Sequence, residues 1–245
     1  MRKLIAGNWK MNGLASSLAE IEAVKESAER AACDIVICPP FTLLEKAVTK
    51  AQGSPIAIGA QDCHAKTSGA YTSDISAEML SEVGARYVIL GHSERRAGYH
   101  ETDMTVARKA AAAHASGLTS IICIGETGAE RDDRHALDVV RRQLRGSLPA
   151  TAASSNTAIA YEPVWAVGTG IVPTLDQIEE VHTFARNLLE DELGPDGRQV
   201  RILYGGSVKA SNAGSIFDVR NVNGALVGGA SLKGADFARI ILASA

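Results

Sequence analysis

Residues 157–170 read T-A-I-A-Y-E-P-V-W-A-V-G-T-G, Thr157 to Gly170, and this stretch decides how the chain folds. Thr157 to Tyr161 is mostly apolar and alternates poorly, the pattern of a strand buried on both faces in a parallel sheet covered by helices. Pro163 has no backbone donor and biases Glu162 away from helical angles, so pairing stops there and a carboxylate stands at the strand end. Beyond it, Val164, Trp165, Ala166 and Val167 form an apolar run ended by Gly168, Thr169 and Gly170. A stiff apolar segment between turn-prone ends reads as a lid, Pro163 to Gly170, that excludes water from the carboxylate beneath it; a buried turn beside an ordinary exposed Glu is the plainer reading.

Outward from this stretch, the same signature recurs along the 245 residues. Apolar runs at 4–8, 34–38, 56–60, 87–90, 119–124, 157–161, 201–204 and 222–227 each precede a helical pattern. Leu18, Ile21, Val24 and Ala28 set the first helix; Leu137, Val140 and Leu144 mark one expected over 133–148, and Ile178, Val181 and Leu188 one over 175–193. Eight strand-helix units with no linker between them predict a single domain over 1–245, a closed parallel (β/α)8 TIM barrel rather than an open doubly wound sheet. Gln61 to Ser76 breaks the rhythm as a long polar stretch rich in Ser, Thr and Gly, and loops of that length generally have a role.

Composition narrows the function classes. Hydrophobic residues make up 46%, charged residues 22%, and the net charge is -3, so nothing points to nucleic acid or an anionic membrane as partner. Cys33, Cys38, Cys63 and Cys123 lie in or near apolar segments without metal-ligand spacing, which predicts buried reduced thiols. The first apolar run spans only Leu4 to Ala6, and no later one reaches the roughly 18 residues of a membrane span, so the cytoplasm is the expected compartment.

In such a barrel the loops after the strands build the site. Asn8 and Lys10 follow the first strand, Gly91-His92-Ser93-Glu94 the fourth, Glu162 the sixth, Gly205-Gly206-Ser207 the seventh and Gly228-Gly229 the eighth. The glycine pairs either expose amides to an anion such as phosphate or simply make tight turns. Glu94 belongs either to a solvated charged string or to a pair with a nearby cation. No nucleotide-binding run is present, and Gly168-Thr169-Gly170 lacks the rest of a dinucleotide fingerprint. A carboxylate, an imidazole and a fixed ammonium beside an anion cradle suit proton abstraction next to a carbonyl. Glu162 would take the proton, His92 would polarise the carbonyl and Lys10 would stabilise the developing charge.

Across nearly its whole length the sequence closely resembles the triosephosphate isomerase family. The resemblance rests on Gly7-Asn8-Trp9-Lys10-Met11-Asn12, Gly91 to Arg96, Cys123-Ile124-Gly125-Glu126-Thr127, Ala160 to Gly170, Tyr204 to Val208 and Gly224 to Ser231. It implies interconversion of dihydroxyacetone phosphate and glyceraldehyde 3-phosphate without metal or organic cofactor. Asn8, Lys10, His92 and Glu162 fall at the catalytic positions with Glu94 in support, and Asn8, Lys10 and the amides of Gly168, Ser207, Gly228 and Gly229 would hold the phosphorylated substrate. It also implies an obligate homodimer whose loop at 61–76, with Gln61, Gly69, Tyr71, Thr72 and Asp74, enters the partner, Thr72 reaching the partner's site near Asn8 and Lys10. Ser73 and Asp74 stand where the family usually has Gly and Glu, Ile171-Val172-Pro173 where it often has K-T-A, and Asn223 where Asp is frequent. Two further readings share these motifs: an isomerase of a four-carbon ketose phosphate, and a sugar-phosphate-binding protein without catalysis.

Overall fold

The computed structural model describes residues 1–169 and 171–244. Its centre is a closed barrel of parallel strands in sequence order, β1 (Leu4–Asn8), β2 (Asp34–Cys38), β3 (Ile56–Ala60), β4 (Tyr87–Leu90), β5 (Thr119–Ile124), β6 (Thr157–Tyr161), β7 (Arg201–Tyr204) and β8 (Gly224–Val227). β8 returns to β1 with Leu4 opposite Gly224 and Gly7 opposite Val227. The strands read as continuous apolar runs because both faces are buried. Leu4, Ala6, Val36, Cys38, Ile89, Ile121, Cys123, Ala158, Ala160, Leu203 and Leu226 fill the interior, while Ile5, Ile35, Ile37, Ile122 and Ile159 pack outward on the helices.

The surrounding helices are α1 (Ala19–Glu29), α2 (Leu44–Ala51), α3 (Ala77–Glu82), α4 (Ser93–Gly98), α5 (Asp103–Ala115), α6 (Gly128–Asp132), α7 (Ala136–Ser147), α8 (Leu175–Leu193), α9 (Ala213–Phe217) and α10 (Gly234–Leu242). Two differences from the expected elements have local causes. β8 starts at Gly224 instead of Val222, since Gly224 sits at φ +136 with Leu4 O only 1.9 Å from where a Cβ would be. The helix expected from 133 starts at Ala136, because the chain first makes α6 and then turns through Arg134 at φ 62.

The loop after β3 closes on itself: His64 N donates to Ile75 O at 2.8 Å, and His64 and Ser76 form an isolated bridge. Its tip, from Lys66 to Asp74, is exposed. Cys33, Cys38, Cys63 and Cys123 are free and buried, as expected. Among the described residues no helix is long and apolar enough to cross a membrane.

Candidate active site

The C-terminal strand ends converge on one cavity of about 270 Å³ lined by Asn8, Lys10, His92, Glu162, Val167, Gly168, the turn 205–209, Leu226 and the turn 228–230. Every residue the sequence assigned to catalysis or phosphate binding lines it except Glu94, which stands behind Lys10.

Glu162 continues from β6 and is 2% exposed. Its amide donates to Ile124 O at 2.7 Å, which extends the ladder with β5 by one residue and fixes the main chain. Two glycines make room for it: a Cβ on Gly125 would lie 1.7 Å from Glu162 O, and one on Gly205 would lie 2.8 Å from Glu162 Cγ. Gly205 is therefore required by the carboxylate's own path, a demand distinct from an anion cradle. Gly229 has open space where a Cβ would be, and Gly228 meets only Lys10 Cε at 3.7 Å, so this second pair presents backbone to the cavity.

His92 lies 2.8 Å from Glu162 through Nε2 and Oε1, and the amide of Ser93 donates to Glu162 Oε2 at 3.0 Å. His92 also caps α4, its Nδ1 accepting from Glu94 N at 3.2 Å. An Nδ1 that accepts carries no proton, so Nε2 carries one and donates to the carboxylate. Burial works against the Glu162 carboxylate, but the attraction and hydrogen bond of His92, the Ser93 amide and Lys10 outweigh it and hold the group below its ordinary range. Burial likewise opposes a charged His92, and the neighbouring Glu162 overrides it and draws the ring's pKa upward. That pull depends on Glu162 staying beside the ring; the Glu94 amide at Nδ1 opposes a second proton throughout.

Lys10 adopts φ 53, a left-handed angle that a non-glycine residue holds only when its surroundings fix it. Three contacts do so. Its amide donates to Asn8 Oδ1 at 2.9 Å, its carbonyl accepts from Gln61 Nε2 at 2.8 Å, and Nζ pairs with Glu94 Oε1 at 2.7 Å. Of the two readings of Glu94, the structure realises the pair. The neighbours of Lys10 diverge: Trp9 is buried, with Nε1 donating to Ser231 O at 3.1 Å, whereas Met11 is 96% exposed.

The segment expected as a lid begins with a single 3-10 turn, Val164–Ala166, and not an extended flap. Ala166 is buried and its carbonyl accepts from Ser207 Oγ at 3.2 Å, while Gly168 and Thr169 are exposed; Gly170 lies outside the described residues. Trp165 Nε1 donates to Glu126 Oε1 at 3.0 Å, and the same oxygen accepts from Tyr161 Oη and Arg131 Nη1. Glu126 belongs to a motif quoted above, yet nothing in its spacing marks it as the anchor of this segment. Lys209, a cation on the rim of the cavity, had no signal beyond its place after the second glycine of a strand-end pair.

Gln61 touches Lys10 and the remaining residues of the loop after β3 stand outside the cavity. Tyr71 stacks on His64 with ring centroids 4.0 Å apart, Asp74 N donates to Tyr71 O at 3.1 Å, and Gly69 and Thr72 are exposed.

The family model of triosephosphate isomerase matches residues 3–244. The chain belongs to the triosephosphate isomerase family. A triosephosphate isomerase of Ruegeria sp. (strain TM1040) is 57% identical over 244 residues, covering 100% of this chain and 98% of that protein. One from Bradyrhizobium diazoefficiens is 54% identical over 242 residues, covering 98% of this chain and 96% of that one. Among solved structures, the triosephosphate isomerase from Bartonella henselae superposes with a TM-score of 0.92 at 48% identity and 98% coverage of each chain.

Proposed function

We infer that the chain is a triose-phosphate isomerase, interconverting dihydroxyacetone phosphate and D-glyceraldehyde 3-phosphate, a step shared by glycolysis and gluconeogenesis. The observation that carries the reading is the pairing of a buried, ionised Glu162 with the Nε2–H of His92 in a cavity that also receives Lys10 and exposed backbone from the eighth strand end.

The chemistry follows from that pair. Substrate takes over both partners: its carbonyl oxygen accepts from His92 Nε2, and the carbon beside it presents a C–H to the Glu162 carboxylate. Glu162 removes that proton, and the electron pair moves onto the carbonyl oxygen to give an enediolate, stabilised by the His92 donor and the Lys10 ammonium. The carboxylic acid then returns its proton to the neighbouring carbon, while His92 passes its Nε2 proton to the first oxygen and takes up the hydroxyl proton of the other, which becomes the carbonyl. Amides at Gly168, Ser207, Gly228 and Gly229 hold the phosphate, with Asn8 positioning Lys10. Closure of 163–170 keeps water out while the enediolate exists, which suppresses loss of its phosphate.

A homodimer and a cytoplasmic location belong to the same proposal. Exposed Met11 and Leu14 follow β1, Phe41 follows β2, Tyr71 and Met79 follow β3, and Tyr99 and Met104 follow β4, so large apolar side chains stand on the successive segments that follow four adjoining strands. Such a surface suits a partner copy that accepts the tip at Thr72. Light scattering at nanomolar concentration tests it: an active monomer there would overturn the dimer.

The deciding assay compares steady-state turnover of glyceraldehyde 3-phosphate and of a four-carbon ketose phosphate, with Glu162→Gln as control. The triose should win by orders of magnitude and the control should be nearly inactive. Faster turnover of the longer sugar would overturn the substrate, and tight binding without turnover of either would overturn the enzyme.

A further inference from the structure

The backbone that carries Glu162 is braced from outside the cavity. Gly125 is the residue directly opposite Glu162, pressed so close that no Cβ fits against Glu162 O. The chain pairs on either side of it, with Glu162 N donating to Ile124 O at 2.7 Å and Val164 N to Glu126 O at 3.0 Å. The peptide groups of Gly125 itself turn the other way, where the sheet supplies no partner. There Gln143, on α7 and 8% exposed, meets both: its Oε1 accepts from Gly125 N at 2.7 Å and its Nε2 donates to Gly125 O at 3.1 Å.

Packing does not do this work in its place. A cleft of about 200 Å³ runs along this side, lined among others by Cys123, Gly125, Gln143, Glu162 and Val164. A glycine at the edge of a cleft has no side chain to wedge it, so the two hydrogen bonds set where its peptide stands. Since Gly125 abuts Glu162 O, a shift of that peptide is passed to the main chain of the carboxylate and to the first residue of the 3-10 turn.

We propose that Gln143 is a positioning residue for the reaction: by clamping the Gly125 peptide it fixes the main chain of Glu162 and hence the aim of the carboxylate. This rests on Glu162 being the base. The side chain touches no part of the cavity where substrate sits, so its removal acts on the proton-transfer step and leaves phosphate recognition alone.

Two substitutions test the clamp. Gln143→Met keeps length and bulk and removes both polar ends; a base misplaced by around an ångström implies a fall in kcat of about 10- to 100-fold. KM should stay within a factor of about two, because three of the four phosphate-holding amides, those of Ser207, Gly228 and Gly229, lie on the loops after β7 and β8. Gln143→Glu can donate and accept only while its carboxyl is protonated. Its kcat divided by that of the unaltered protein at the same pH should approach one at the acid end and fall as pH rises. A residue needed only for stability would lower the melting temperature of both variants and leave kcat per folded molecule unchanged at every pH, and that result would overturn the proposal. If Gln143→Met does not fold, the pH-dependent ratio for Gln143→Glu decides alone. Glu162→Gln, assayed in parallel, separates the two inferences: retained activity there overturns the base, whereas an inactive Glu162→Gln beside a fully active Gln143→Met overturns only the clamp.

Discussion

His92 Nε2 and Glu162 Oε1 lie 2.8 Å apart in a site where both side chains are almost wholly buried. The ring is the main reason that Glu162 stays ionised despite burial, since the two leading influences that lower its pKa both come from His92. Replacing His92 with Gln puts a weaker amide donor in place of the imidazole Nε2–H, while the burial that raises the carboxyl's pKa remains. The titration of Glu162, followed by carbon-13 NMR of its carboxyl, should move from below 4.5 in the unaltered protein to above it in His92→Gln. Turnover should fall by about 10² to 10⁴, the usual worth of a proton donor at the reacting oxygen. An unmoved titration would mean that the Ser93 amide and Lys10 suffice to hold the charge.

Trp165 ties the entry of the 163–170 segment to Glu126, whose Oε1 takes three donors while its Oε2 has no partner among the described residues. Trp165→Phe removes one donor and leaves Tyr161 and Arg131 in place. Stability should fall by about 1 kcal/mol, the net value of one such bond. The larger effect should be on fidelity, with more inorganic phosphate released per turnover as the segment closes less completely over the enediolate. Phosphate release equal to that of the unaltered protein would remove Trp165 from the closing machinery.

The barrel was legible because strands buried on both faces leave apolar runs that polar turns punctuate. Leu4–Asn8 and Thr157–Tyr161 coincide with the expected strands to the residue. α4 and α6 were not, and the reason is physical: neither has a buried residue, so neither has a hydrophobic stripe to read. α6 did carry one local sign, Thr127 and Glu130, which form a reciprocal capping box. Residues that line the cavity were legible from their place just after a strand, as with Lys10 and His92. Glu126 and Gln143 act through a second residue, and only coordinates reveal which backbone or indole they hold.

Ser73 stands at the exposed tip of the loop after β3 with φ 75, an angle glycine adopts freely and serine does not. The left-handed angle costs an L-residue roughly 1–2 kcal/mol, part of which a glycine would return through its freer unfolded chain. Ser73→Gly should therefore raise stability by about 0.5 kcal/mol. Urea unfolding at fixed protein concentration checks it. A loss of stability would show that the serine side chain contributes more at the tip than its backbone angle costs.

His182 gives the fold an acid limit. It is 0% exposed, its Nδ1–H donates to Asn221 O at 3.2 Å, and its Nε2, beside Tyr161 and Tyr204, has no hydrogen-bond partner among the described residues. Burial brings its pKa down to about 4 from an ordinary 6.5. Between those values the unfolded chain binds a proton that the folded one refuses, so stability falls as pH drops from 6.5 to 4 and this group adds no slope above 6.5. The drop amounts to about 3–4 kcal/mol at roughly 1.4 kcal/mol per unit. In His182→Gln the stability-against-pH curve should flatten across that window; an unchanged slope would assign acid sensitivity to other groups.

Arg186 is 7% exposed, and its guanidinium is satisfied by neutral oxygens: the carbonyls of Gly197 and Val200 and, at 2.9 Å, Oδ1 of Asn223. Burial lowers its pKa, and the attraction of Glu190 offsets this only in part. Asn223 Oδ1 also accepts from Ile202 N at 3.0 Å, so the amide oxygen already sits where an anion would be most useful. Asn223→Asp puts a charge on that acceptor without changing its shape. The gain for a charged hydrogen bond, about 1.5–3 kcal/mol, exceeds the desolvation of a group that is only half-buried, and a net gain of about 1 kcal/mol is expected. That should raise the melting temperature by about 2–4 °C near neutral pH. Protonating the new carboxyl abolishes the charge, so the advantage should vanish as pH falls through its pKa, and a uniform shift at all pH values would mean that the pair had not formed.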